Sequence, residues 1–295
     1  MTARGFAALI SLGALWGASF LFIRVAVPEL GPFVLVALRV AFAALTLAIS
    51  ARLLGRALKG RGLWPAFLFV GFVNTAVPFS LISGAEQYLT ASLAAILNST
   101  TVMFTALVAA VWLGDPLTGK KAFGIVLGTF GVAVLVGWDP LPLSPAVLLS
   151  VAAVLGASLC YGVGGVFTKK VFAGVPPLTL AVGQQTAAAG VMVPVAATDL
   201  PSQTPSLTAI LCVLALAIPS TAVAYLLFFY LIEHAGPTST STVTLIVPVF
   251  GLIFGVAFLG EPVGWGTLVG LAIILCSVVL VTGIDFGKAG KSRAG

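Results

Sequence analysis

Charge is what this sequence has least of. Asp, Glu, Lys and Arg make up 7% of its 295 residues, against 60% hydrophobic residues. A soluble domain carries about 25% charge. With a mean hydropathy of +1.20, the chain cannot cover itself with polar surface, so its solvent must be lipid. Histidine occurs once, at His234. With no second histidine and no acid deep in an apolar run, neither a metal site nor a nucleophilic triad can be assembled. The three cysteines, Cys160, Cys212 and Cys276, stand singly inside apolar runs. They read as small buried hydrophobes, not as a disulfide or metal framework. The net charge of +6 would suit nucleic acid in a soluble protein. Here the positive residues read as loop charges that orient a membrane protein, and no nucleic-acid partner is expected.

What is present is a series of long apolar runs. A bilayer core of about 30 Å needs about 20 apolar residues per helix. Ten runs qualify: 5–26, 32–53, 63–84, 91–113, 119–137, 146–168, 177–197, 206–231, 237–259 and 264–283. The first is too long for a cleaved signal peptide. The short connections leave no room for a nucleotide-binding fold, a zinc domain or a catalytic module outside the membrane. With ten spans, Arg4, Arg52, Arg56, Lys59, Arg61, Lys120, Lys121, Lys169, Lys170, Lys288, Lys291 and Arg293 all fall on one side. The positive-inside rule puts that side, and both termini, in the cytoplasm.

The chain also says one thing twice. Leu113-Gly114-Asp115-Pro116, followed by Gly124 and Gly137, recurs as Leu259-Gly260-Glu261-Pro262, followed by Gly270 and Gly283. Such a repeat implies two halves of like build, 1–140 and 141–295. Five spans per half is an odd number, so the second half enters the membrane inverted. That is the plan of many transporters, whose substrate site lies near the midplane between the halves. The expected fold is therefore all-α: a multi-pass membrane protein of ten helices in two inverted five-helix repeats. At a shift of 145 residues, Trp16, Gly17 and Arg24 match Tyr161, Gly162 and Lys169. The two cations could serve two gates or simply snorkel to the interface.

These residues also carry a resemblance. Leu15-Trp16-Gly17, Ala37-Leu38-Arg39, the two Leu-Gly-acid-Pro turns, Gly236-Pro237-Thr238 and Pro248-Val249-Phe250 resemble the EamA family of the drug/metabolite transporter superfamily. The resemblance covers nearly the whole chain. It departs at Val102, which stands where the second half has Pro248, so the fourth span need not bend as the ninth does. The resemblance implies a central cavity between the repeats and export of small metabolites from the cell across the inner membrane. The length and the aromatic residues look like the YddG type of amino-acid exporter.

Candidate site residues follow from polarity at depth. Asn98, Thr101 and Thr105 share one face of the fourth span, and Thr240 and Thr244 one face of the ninth. Thr244 stands 146 residues after Asn98. Polar groups in lipid need partners, so these faces point inward, either toward a substrate or into interhelical hydrogen bonds. Trp16, Phe20, Phe79, Tyr161, Tyr225 and Phe228 are candidates for an apolar cavity wall. Trp112 and Trp265 read as membrane-interface residues. Gln184 and Gln185 are adjacent and cannot share a face, so at most one lines a cavity, and Gln184 is taken. Pro78, Pro219 and Pro248 interrupt spans and free a carbonyl four residues earlier, which makes them candidate hinges or gates. The glycine pairs Gly13/Gly17 and Gly251/Gly255 suit close helix packing. Arg39 is the one charge well inside a span. It either binds a carboxylate substrate or has a structural partner.

All eight acids (Glu29, Glu86, Asp115, Asp139, Asp199, Glu233, Glu261, Asp285) fall in loops or at helix ends. Ion-driven carriers commonly hold a carboxylate at depth, so facilitated diffusion is expected. Glu86 and Glu233 are the two carboxylates placed to argue otherwise. The resulting expectation is a facilitative, alternating-access exporter of amino acids that works as a monomer without a cofactor. A carrier of drugs, cations or nucleotide-linked compounds, and a passive channel, are the alternatives. A membrane enzyme would need clustered His, Asp or Glu at depth, which the sequence lacks.

Overall fold

Glycine and proline decide where the apolar runs turn. The computed structural model describes residues 2–56, 58, 60–138 and 144–284. Lys59, Asp139, the boundary at 140/141, and Asp285 with the basic tail (Lys288, Lys291 and Arg293) lie outside the described residues, as do the side chains of Arg61, Pro237 and Thr238. Among the described residues all regular structure is helical. The helices are α1 (Ala3–Leu53), α2 (Trp64–Gly71), α3 (Val77–Ala85), α4 (Ala91–Asn98), α5 (Thr101–Leu113) and α6 (Gly119–Gly137), then α7 (Pro145–Val171), α8 (Pro177–Ala196), α9 (Leu207–Ala217), α10 (Ala224–Ser241), α11 (Val243–Leu259) and α12 (Trp265–Thr282). Joined across short interruptions, they give nine segments long and apolar enough to cross a membrane among the described residues.

The first two expected spans form one element with no loop between them. At about 1.5 Å per residue, the 51 residues of α1 would reach about 75 Å if straight, over twice a hydrocarbon core. The element is broken at Gly31, with φ 69° and ψ 163°. That left-handed region favours glycine, and Pro32 supplies a residue with no N–H to bond back. Gly236, ahead of Pro237, repeats the device inside α10 with φ 79° and ψ 163°. The eighth span therefore runs directly into the ninth.

The fourth span also differs from its expectation. Without a proline it still breaks, between α4 and α5, at Ser99 and Thr100. The Ser99 and Thr100 hydroxyls donate to the Ile96 and Leu97 carbonyls at 2.6 and 2.7 Å. Such back-bonding competes with the helical ladder and bends helices. Thr242, between α10 and α11, donates in the same way to Ser239 at 2.7 Å.

Glycines set the helix crossings. A Cβ on Gly17 of α1 would lie 2.6 Å from Cβ of Phe250 and 2.9 Å from the backbone nitrogen of Gly251 in α11. A Cβ on Gly162 of α7 would lie 2.9 Å from the nitrogen of Thr105 and 3.0 Å from the carbonyl carbon of Phe104 in α5. Phe250 and Gly251 stand 146 residues after Phe104 and Thr105, so the two crossings are counterparts. The α6–α12 pair is reciprocal as well. Gly124 admits Val281 and Gly270 admits Leu135, with a Cβ at either glycine 2.8 Å from its neighbour.

Overpacking of such contacts costs about 1–3 kcal/mol. Gly17→Ala and Gly162→Ala should each lower the thermal unfolding midpoint in detergent. Gly156→Ala, whose new methyl would meet only Leu81 at 3.8 Å, should leave it unchanged or raise it.

Candidate functional site

Two widened turns shape the site. Phe72–Ala76, between α2 and α3, and Ile218–Val223, between α9 and α10, are π-helical. One precedes Pro78 and the other contains Pro219. A proline cannot bond to the carbonyl four residues back, and a π-turn absorbs that misfit within a helix. Each turn presents two polar residues, Asn74 and Thr75 in one, Ser220 and Thr221 in the other. The second pair stands 146 residues after the first.

The two threonines receive the polar side chains of the neighbouring helices. Nε of Arg39 donates to Oγ1 of Thr221 at 3.1 Å, and the guanidinium carbon lies 3.9 Å from the centre of the Phe79 ring. Thr221 passes its own hydrogen to the Leu216 carbonyl at 2.8 Å. Nε2 of Gln184 donates to Oγ1 of Thr75 at 2.7 Å and to the Tyr225 hydroxyl at 3.1 Å. Gln184 stands 145 residues after Arg39, and Tyr225 146 residues after Phe79. The same construction is thus built twice, with a guanidinium in one copy and an amide in the other. Arg39 has structural partners and also faces the cavity.

That cavity, of about 520 Å³, is walled by Trp16, Phe20, Phe79, Asn98, Thr101, Tyr161, Gln184, Tyr225, Phe228 and Thr244, whereas Thr105 and Thr240, candidates on the same two faces, are not in the wall. Pro248 is in the wall. Pro78 and Pro219 are not, although Phe79 and Ser220, next to them, are. Among the described residues Arg39 is the only charged side chain in the wall. Trp16 packs on Phe228 at 5.7 Å between ring centres, and Phe79 on Tyr161 at 6.5 Å. Trp112 and Trp265 are exposed on the outside of the bundle. Gln185 is fully buried, and neither of its amide atoms has a partner among the described residues.

The hydroxyls of the fourth and ninth spans turn back on their own helices. Thr101 donates to the Asn98 carbonyl at 2.7 Å, Thr105 to Thr101 at 2.7 Å, Thr240 to Gly236 at 2.8 Å and Thr244 to Ser241 at 2.8 Å. Asn98 is different. Its Oδ1 is buried and has no hydrogen-bond partner among the described residues.

Sequence reasoning left the wall residues Asn74, Ser220 and Thr221 out of the site. The signal was available in the 146-residue shift, which pairs Asn74 with Ser220 and Thr75 with Thr221. It also left out the contact that joins Glu261 to the start of α4. The Glu261 carboxylate accepts from the backbone N–H of Ala91 at 2.7 Å, from that of Ser92 at 2.9 Å and from the Ser92 hydroxyl, so it caps the start of α4. Nearby, Arg24 donates to the Glu86 carbonyl, a partner that snorkelling alone would not give it. At the other end Asp115, the counterpart of Glu261, pairs with Lys169 at 3.8 Å, with both side chains exposed.

A largely apolar cavity carrying a few polar side chains, inside an all-helical bundle of membrane-length segments, fits a multi-pass membrane transporter. The model of the EamA-like transporter family matches twice, over residues 3–137 and 148–283, and the chain belongs to that family. An uncharacterized transporter of Archaeoglobus fulgidus is 26% identical over 90% of this chain and 94% of its own. A probable amino-acid metabolite efflux pump of Escherichia coli K12 is 27% identical over 94% of each chain. A protein of known crystal structure, 18% identical, superposes with a TM-score of 0.70 over 96% of this chain and 97% of its own. That likeness concerns the fold.

Charge-assisted hydrogen bonds to buried groups are worth about 1.5–3 kcal/mol each. Glu261→Ala, which strips three from the start of α4, should cost at least about 2 kcal/mol. Thermal unfolding would read this cost, and faster amide exchange at Ala91 and Ser92 would locate it.

Proposed function

We propose that the chain exports amino acids from the cell across the inner membrane, working as a monomer by alternating access. Counting α1 as two crossings gives ten. The reciprocal glycine contacts and the doubled Arg39 and Gln184 arrangements support two inverted five-helix repeats, 1–140 and 141–295, and the distribution of Lys and Arg supports cytoplasmic termini.

The observation that carries the reading is the polarity of the cavity. One guanidinium, Arg39, is the wall's only charge among the described residues, and it suits a carboxylate. Two wall residues hold a buried oxygen without a hydrogen-bond partner among the described residues, Asn98 (Oδ1) and Ser220 (Oγ), and the Asn98 acceptor suits an ammonium group. Aromatic rings fill much of the rest, as an apolar side chain requires. Amino acids with aromatic or other apolar side chains combine these features. The efflux pump named among the relatives adds support at low identity. Facilitated diffusion was expected because no carboxylate lay at depth. Glu86 stands at the end of α3, as the sequence indicates, and is buried there.

Counterflow in proteoliposomes tests the reading. Vesicles loaded with one unlabelled amino acid should transiently accumulate labelled amino acid from outside, with saturation. Phenylalanine, tryptophan, methionine, threonine and lysine form the panel. Arg39→Leu and Asn98→Ala should each raise the half-saturating concentration roughly tenfold or more, the equivalent of one buried charged hydrogen bond. Trp16→Ala should weaken transport of the aromatic substrates. No accumulation of any amino acid by folded, inserted protein would remove the amino-acid reading and turn attention to drugs or nucleotide-linked compounds. Uptake that never saturates would mark a channel.

A further inference from the structure

Glu86 is the residue the exporter reading does not use. It follows α3, one turn beyond Ile82, which lies in the cavity wall. It is 0% exposed, and neither oxygen of its carboxyl group has a hydrogen-bond partner among the described residues. Arg24 reaches this residue but donates to its backbone carbonyl. The ionisable neighbours that act on the carboxyl group are Glu261, Arg24 and Arg39. Helix α7 also packs against α3, and its lysines, Lys169 and Lys170, stand at its far end.

An ionised carboxylate without hydrogen bonds is among the costliest groups to bury, whereas a protonated one is far cheaper. The arrangement therefore fits an uncharged Glu86. Its neighbour Glu261 accepts from the backbone N–H groups of Ala91 and Ser92 and meets the Ser92 hydroxyl. Two carboxylates sharing one site do not both ionise at low cost.

We propose that Glu86 is a proton-binding site whose occupancy keeps this end of the cavity shut, so that substrate leaving the cell is exchanged for an entering proton. The proposal rests on the exporter reading. When the end is open, solvent protonates the carboxylate of Glu86, and the neutral acid tolerates burial beside Glu261. The Glu261 cap on α4 then forms and the end closes. Loss of the proton toward the cavity, one turn away at Ile82, restores the negative charge. Repulsion between Glu86 and Glu261 then works against the cap, and the end reopens. Each cycle carries one proton one way and one substrate the other, with no covalent step.

Two measurements on the full chain test this. The first places a pH-sensitive dye inside proteoliposomes and imposes a gradient of a substrate already shown to support counterflow. The second follows amide exchange at Ala91 and Ser92 across a pH series, corrected for the intrinsic pH dependence of exchange. For the wild type, substrate should drive proton movement, and protection of the two amides should fall as pH rises. Glu86→Gln should abolish both effects, with protection high throughout. Glu261→Gln removes the neighbouring charge and should also flatten the pH dependence, which keeps the test decisive if Glu86→Gln fails to fold. Counterflow without substrate-driven proton movement, together with pH-independent protection in the wild type, would overturn the proposal while leaving the exporter reading intact. Absent counterflow would instead remove the exporter reading, and the exchange series would still decide whether Glu86 holds a proton.

Discussion

A polar side chain inside a lipid-facing bundle has no water to fall back on, so each one must be met by the protein or by what the protein carries. The centre of this fold is arranged around that requirement. Two helices widen near Pro78 and Pro219, and each places a threonine where a long polar side chain from a neighbouring helix can reach it. Arg39 meets Thr221, and Gln184 meets Thr75. These bonds join residues far apart in the chain, from one half to the other, and they stand in the wall of the cavity. Packing follows the same economy. Gly17 and Gly162 let their helices approach the facing backbone closely, which leaves the space between helices to the cavity.

The duplication was not copied chemically. Arg39 and Gln184 occupy counterpart positions, but only one is charged. Asn98 and Thr244 are counterparts, but only Asn98 holds an unpartnered acceptor, because the Thr244 hydroxyl bonds back to Ser241. A symmetric frame with asymmetric side chains gives a cavity wall with two unlike polar groups, a guanidinium and an unpartnered amide oxygen. The ends of the bundle are unequal in the same way. Glu261 caps α4, while Asp115 pairs with Lys169 in an exposed position. On the exporter reading, this inequality is what one side of an alternating cycle looks like, with one end capped and its counterpart undocked.

Much of this was legible in the sequence. Apolar runs of spanning length marked the membrane segments, and polar residues within them pointed to Asn98, Thr101, Gln184 and Thr244 of the cavity wall, though the same reasoning also picked Thr105 and Thr240, which are not in it. Other features were not legible. Gly31 and Gly236 turn the chain within a single residue, which hydropathy does not separate from a loop. The break at Ser99 and Thr100 comes from hydroxyls bonding backward and has no proline to announce it. Glu86 is the end-of-helix acid the sequence indicates, but its burial depends on how α1 and α7 pack over α3, which is a tertiary fact. Arg39 and Gln184 were visible singly, and only the contacts at Thr221 and Thr75 reveal them as counterparts.

The central claim is that the cavity reads both charges of a zwitterion, the carboxylate at Arg39 and the ammonium at Asn98. The most direct test is competition against counterflow with three matched compounds: a transported amino acid, the amine that lacks its carboxylate, and the acid that lacks its ammonium group. The account predicts that the intact amino acid competes strongly and that each truncated compound competes far more weakly, with the acid's residual competition lost in Arg39→Leu. Either truncated compound competing as well as the intact amino acid would contradict it.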